Sequence, residues 1–213
     1  MRAAALALAL LAAGPAAAHM GVTHGSAEEA AAHRSAAAEA PPPGPVTPFP
    51  VEITARFDLI HQDGRRVTEA DYAGRPMLLF FGYANCEAIC SVALPRMASV
   101  LDALGEDAAG LSAVMITIDP EYDTPEALAE AMPAYHPMLE GLTGSEEALA
   151  AARDAFQVKV EKVSEMIDGT PIYAHGSFVY LVGADGRVAT ILPPILTEDQ
   201  MAAIVARYLA PES

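Results

Sequence analysis

Residues 77–95 read MLLFFGYANCEAICSVALP. The apolar run Met77 to Phe81 is too short for a helix, and its aromatic content, closed by Gly82, predicts a buried strand. Cys86 and Cys90, the two cysteines of the chain, follow at once. Val92, Leu94, Met97, Val100, Leu101 and Leu104 then recur at helical spacing up to Gly105. The thiols are therefore expected where a strand hands over to a helix. With a helix beginning near Cys86, positions four apart share a face, their Cβ atoms roughly 5–6 Å apart, so both sulfurs reach one ligand.

Downstream, Ser112 to Ile118 (SAVMITI) is a second continuous apolar strand, and a strand, helix, strand unit implies a buried parallel pair. That strand runs into DPEYDTP at 119–125, where Thr124 is placed to cap a helix opened by Pro125 and continued to Met132. Pro133 to Thr143 reads as a loop containing His136. Ser145 caps a helix to about Phe156. Gln157 to Val163 alternates as a strand, and Ser164 to Thr170 reads as a loop. Ser177 to Val182 and Arg187 to Leu192 flank a Gly-Ala-Asp-Gly turn and form an antiparallel hairpin. Thr197 and Gln200 hold capping-box positions for a closing helix to Leu209. Upstream, Ile53 to Leu59 and Arg66-Val67 flank the turn Gln62 to Arg65 as a further hairpin. The expected fold is α/β and thioredoxin-like, a mixed central sheet flanked by helices with an N-terminal β-hairpin extension, over residues 51–213.

Ahead of it, residues 1–18 have the basic start, Ala/Leu run and small-residue end of a secretory signal, too short at about a dozen apolar residues to span a bilayer. The expectation is a periplasmic protein, soluble once the signal is cleaved, with no membrane span. Residues 19–50 are rich in Ala, Glu, Ser and Pro without apolar periodicity and read as a disordered tether. His19, Met20, His24 and His33 lie on it at irregular spacing; a plain linker is the simpler reading, metal capture the sharper one. The formal charge of −16 argues against nucleic acid or an anionic membrane as partner.

Two cysteines in an exported chain are ordinarily a structural disulfide. Here the bridge would close a tiny loop, and stabilisation by cross-linking grows with loop length, so redox cycling or metal binding explains the pair better. A thioredoxin-type motif has two residues between its cysteines; this one has three, which puts the Cα atoms near ~6 Å, toward the outer range for a disulfide. A helix N-terminus favours the thiolate, the form that attacks disulfides and ligates metals. His175 precedes a strand expected at the same end of the sheet and is a candidate third ligand, although a lone histidine is more often packed or solvated. Soft thiolates with an imidazole suit Cu(I), whereas structural zinc wants a fourth protein ligand. Asp119, at a strand's C-terminal end, is either near the site or simply a turn former before Pro120. His136 reads as an ordinary loop histidine. A peroxide-reducing centre would want Thr and Arg before the first cysteine, where Ala84 and Asn85 stand.

FFGYANCEAIC (80–90), IDPEYDTPEAL (118–128) and YAHGSFVYLVGADGR (173–187) resemble, in order and spacing, the signature blocks of the Sco/SenC copper-chaperone family. The resemblance implies that Cys86, Cys90 and His175 ligate one copper ion per domain, as Cu(I), Cu(II) or both, with Asp119 as the acidic residue near the site. It also implies that the chain delivers copper to, or reduces the cysteines of, the dinuclear copper site of cytochrome c oxidase subunit II, after receiving copper from an upstream donor. The alternative is a thiol-disulfide oxidoreductase in which Cys86 attacks and Cys90 resolves. The family usually has Pro after each cysteine and an Asp between them; this chain has Glu87, Ser91 and Ala88.

Overall fold

Burial on both faces dictates the centre of the molecule: every residue of β5 (Met77–Gly82) and of β6 (Ser112–Thr117) is buried. The two strands pair in parallel, Leu79 opposite Val114 and Phe81 opposite Ile116. Strands covered by helices on both faces need no polar alternation, and these have almost none.

The computed structural model describes residues 18–19, 22–23, 52–84, 90–165 and 171–209. It divides into two units, Met1–Val46 and Thr47–Ser213. The first contains an antiparallel pair, β1 (Ala18–His19) with β2 (Val22–Thr23). The rest of the expected signal and tether, with Met20, His24 and His33, lies outside the described residues.

In the second unit a seven-stranded mixed sheet has the order β11-β10-β5-β6-β7-β3-β4. Here β3 is Asp58–His61, β4 Arg66–Thr68, β7 Leu139–Thr143, β10 Val179–Val182 and β11 Val188–Leu192. The helices among the described residues are α1 (Cys90–Leu104), α2 (Pro125–Tyr135), α3 (Glu146–Ala155) and α4 (Glu198–Leu209). Helix α1 packs with α4, α2 covers β7, and α3 lies against β3. This is the expected α/β, thioredoxin-like class, and the N-terminal hairpin is present as β3 and β4 on the edge of the sheet. None of the described helices is long and apolar enough to cross a membrane.

The caps form as the sequence predicts: Thr124 accepts from the Ala127 N–H, Ser145 from the Ala148 N–H, and Thr197 and Gln200 satisfy each other's backbone. Three boundaries differ. The stretch 133–143 is not a loop: α2 continues through Pro133 to Tyr135, and Leu139–Thr143 is β7, parallel to β6. Its pattern was hidden because Gly141 interrupts it. A Cβ there would lie 3.0 Å from Leu128 and Met132, so glycine is what lets α2 approach the strand. Residues 53–59 are not one strand. Ile53 and Ala55 bond to Val188 and Gly186, and only from Asp58 does the chain join β7's side of the sheet. Finally, β8 (Val160–Glu165) and β9 (Pro171–His175) form a separate two-stranded ribbon, although 164–165 reads as loop in the sequence.

Phe80 and Gly82 occupy the same face of β5, and the Phe80 ring fills the space of a Gly82 side chain: a Cβ there would sit 2.2 Å from the ring. Gly82→Ala is therefore expected to destabilise the fold by about 1–3 kcal/mol through displacement of a core aromatic. Chemical denaturation of the variant against the parent protein measures this, and an unchanged midpoint would show that the ring has room to move.

Candidate metal site

The C-terminal end of β5 is where the sheet delivers the chain to the cysteines. Ladder bonding persists to Gly82, whose carbonyl accepts from the Ile118 N–H at 2.8 Å. Tyr83 and Ala84 are buried, and six residues beyond Ala84 helix α1 opens at Cys90. The position of Cys86 lies outside the described residues, and Cys90 is placed by its backbone alone.

His175 is brought to this same end by a different route. It is the last residue of β9, four residues before the start of the sheet strand β10, and β10 aligns Val179 with Phe80. Its ring lies against Phe80, centroids 5.9 Å apart, and against Tyr83 at 6.2 Å. The β8–β9 ribbon that carries it is outside the main sheet, so side chains anchor it. Tyr173 packs edge-on against Tyr83 at 5.7 Å, and its hydroxyl donates to Asp119 Oδ1 at 3.4 Å. Edge-to-face pairs of this kind contribute about 0.5–1.5 kcal/mol each beyond area burial.

Burial lowers the pKa of His175, opposed by the backbone carbonyls of Gly176 and Phe81. Nδ1 lies 3.0 Å from the Gly176 carbonyl, to which it donates when it carries the proton. The neutral imidazole keeps a lone pair on one nitrogen, which is the ligating form. This is the donor chemistry that a soft cation held by two thiolates requires. Among the described residues no group of three or more His, Cys, Asp or Glu is close enough to hold a metal.

Asp119 both makes the turn and faces the ribbon. Its carbonyl accepts from the N–H groups of Tyr122 and Asp123, and its carboxylate is buried against Tyr173. Desolvation, followed by the charge of Asp123, pushes its pKa up to about 6. Burial and the Asp119 charge likewise push Tyr173 to about 12, so its hydroxyl remains a donor. Asp123 is deeper still, 1% exposed, and accepts from Thr117 Oγ1 at 2.6 Å and from the Ala84 N–H at 3.1 Å. Burial raises its pKa against those hydrogen bonds. Sequence reading places Asp123 only in the turn and passes over Thr117, Tyr83, Tyr135 and Tyr173. Spacing does mark two of them, since Thr117 ends a buried strand and Tyr173 is two residues, hence one face, from His175.

His136 lies away from this end. It caps α2, accepts from the Met138 N–H at 3.1 Å, and precedes the N-terminal end of β7, parallel to β5's neighbour. The reading of it as an ordinary loop histidine suits this position better than a ligand role.

A family model described as SCO1/SenC matches residues 46–210. An SCO2-like protein of Rickettsia felis is 35% identical over 139 residues, 64% of this chain and 67% of that one. The structure of Bradyrhizobium japonicum ScoI with copper bound is 35% identical, covers 73% of this chain and 99% of that one, and superposes with a TM-score of 0.68. Arabidopsis thaliana ScoI with copper bound is 30% identical, covers 74% and 98%, and gives a TM-score of 0.69.

A carboxyl whose folded pKa is raised opposes folding once it ionises. For Asp119, raised from 3.8 to about 6, the penalty is absent below pH 4, grows between pH 4 and 6, and is constant above. Asp119→Asn, which keeps an acceptor for Tyr173, is expected to gain up to about 3 kcal/mol over the parent at pH 7 and nothing at pH 3.5. Denaturant midpoints across that range measure the difference; a gain independent of pH would assign the effect to packing.

Proposed function

The chain belongs to the SCO1/SenC family, and from that premise we propose that it is a copper-binding assembly factor for cytochrome c oxidase, working in the periplasm after export by its N-terminal signal. Copper is its cargo. Cys86, Cys90 and His175 hold the ion, and Asp119 supports the histidine's ribbon through Tyr173. The acceptor is the dinuclear copper site of subunit II or a similar thiol-rich site, and an upstream donor loads the protein.

The observation that carries this reading is the location of the His175 ring on Phe80 and Tyr83, the residues that lead the chain into the cysteine segment. Two thiols four apart and a neutral imidazole at one sheet end make a three-donor set that suits Cu(I). Loading releases the thiol protons. Transfer proceeds by ligand exchange, in which acceptor thiolates replace Cys86, Cys90 and His175 one at a time, so the ion is never bare.

The same dithiol can prepare its acceptor. A Cys86 thiolate attacks an acceptor disulfide, and Cys90 resolves the mixed disulfide; two electrons and two protons pass to the acceptor, and a Cys86–Cys90 disulfide is left. Glu87 adds negative charge beside the thiols, which raises their pKa and weakens them as leaving groups.

The reduced mature protein is expected to bind a single Cu(I) ion, and Cys86→Ser or Cys90→Ser to abolish tight binding. His175→Ala should weaken binding by about 100-fold or more, beyond the ~10–100-fold that losing an outer-shell partner brings. Competition against a chromogenic Cu(I) chelator reads the affinities. Equal affinity in His175→Ala would remove the histidine from the ligand set, and turnover of protein disulfides unaffected by His175→Ala or chelation would favour a pure oxidoreductase.

A further inference from the structure

Sheet hydrogen bonding on β5 stops at Gly82, yet the chain does not leave the fold there. Ala84 is buried, 8% exposed, and both polar groups of its backbone are taken by side chains. Its N–H donates to the Asp123 carboxylate, 3.1 and 3.3 Å from the two oxygens. Its carbonyl accepts from the Tyr135 hydroxyl at 3.2 Å. The two side chains come from different places, Asp123 from the turn after β6 and Tyr135 from the last residue of α2.

We infer that Asp123 and Tyr135 are positioning residues for the cysteine segment, gripping the Ala84 peptide from both sides and so fixing where the chain departs toward Cys86. The inference rests on the reading of Cys86 and Cys90 as the copper-holding pair. Three observations support it. A buried backbone N–H must be paired, but a neutral Asn or Ser would pair it without burying a carboxylate. Both oxygens of the Asp123 carboxyl lie within hydrogen-bond distance of that N–H, at 3.1 and 3.3 Å. The carboxylate is itself held in place, since Thr117 donates to it at 2.6 Å and Thr117 Oγ1 in turn accepts from the Asp119 N–H at 2.9 Å.

Ala84 is two residues from Cys86, and two residues span at most about 7 Å of extended chain. Asp123 sits beside Asp119, which holds Tyr173 on the strand that carries His175. The support of the thiol segment and the support of the histidine thus meet in one buried pair of carboxylates.

Tyr135→Phe removes only a hydroxyl, and Asp123→Asn keeps one acceptor oxygen while removing the charge. In the reduced mature protein each is expected to weaken Cu(I) binding about 5- to 10-fold, the effect of one lost hydrogen bond, and to change the iodoacetamide reaction rate of the thiols. Leu149→Ala, a cavity in α3, is the control for stability alone and should leave both readings at the parent value. Parent-like affinity and alkylation in Tyr135→Phe overturn the inference, as does an equal loss in Leu149→Ala. If Asp123→Asn does not fold, Tyr135→Phe decides. Should the parent protein hold no Cu(I), the proposed function fails, and the alkylation rates alone decide the inference: unchanged rates overturn it, altered rates sustain it.

Discussion

The end of the β5–β6 ladder at Gly82 is the constraint on which the site depends. Up to that point two strands buried on both faces hold each other through backbone hydrogen bonds, which any apolar sequence of the right length would make. Beyond it Ala84 remains buried with no neighbouring strand, and its N–H and carbonyl are satisfied by side chains instead. The polar residues gathered there are thus first a consequence of the sheet ending. Thr117, Asp119, Asp123, Tyr135 and Tyr173 all lie in this region, within a domain whose centre is otherwise aliphatic and aromatic.

Burial raises the proton affinity of both carboxylates in that region, and the charge of Asp123 adds to the shift of Asp119. Such a pair destabilises the fold at neutral pH, and every hydrogen bond it accepts is a partial offset. The bonds are not interchangeable. Those to Asp123 come from the peptide ahead of the cysteines and from the adjacent strand, while that to Asp119 comes from the ribbon that carries His175. The acidic pair consequently ties the end of the β5–β6 ladder to a ribbon that lies outside the sheet.

How much of this was legible depends on whether a residue's role is local. Strand β5, helix α1, the Thr124, Ser145 and Thr197 caps and the Asp-Gly hairpin are encoded within a few neighbours, and reading them needs only periodicity and capping chemistry. Strand β7 escaped because Gly141 and Glu140 spoil its apolar pattern; its reason for being there, the close approach of α2, is tertiary. The same holds for the site. His175 stands out from the sequence as a histidine ahead of a strand, and Asp119 as an acid at a strand end. Nothing near Tyr135 in the sequence points 51 residues back to Ala84. Nor does the alternation of 160–165 say that the strand will join a ribbon outside the sheet.

That separation of the ribbon bears on how a carrier can work. The chain that leads to the cysteines leaves the fully buried pair β5–β6, and its Ala84 N–H is held by the Asp123 carboxyl. The histidine side is attached to β8–β9, where β8 is almost wholly exposed and Val163 is 55% exposed. Segments with few buried apolar contacts open at lower free energy than the core does. Among the described residues the ribbon is held to the domain by Tyr173 on Tyr83 and Asp119, by His175 on Phe80 and Tyr83, and by Val160 packed against the core. On the proposed reading of His175 as a copper ligand, the imidazole therefore rides on the more exposed of the two supports, and the chain to the cysteines on the more buried one.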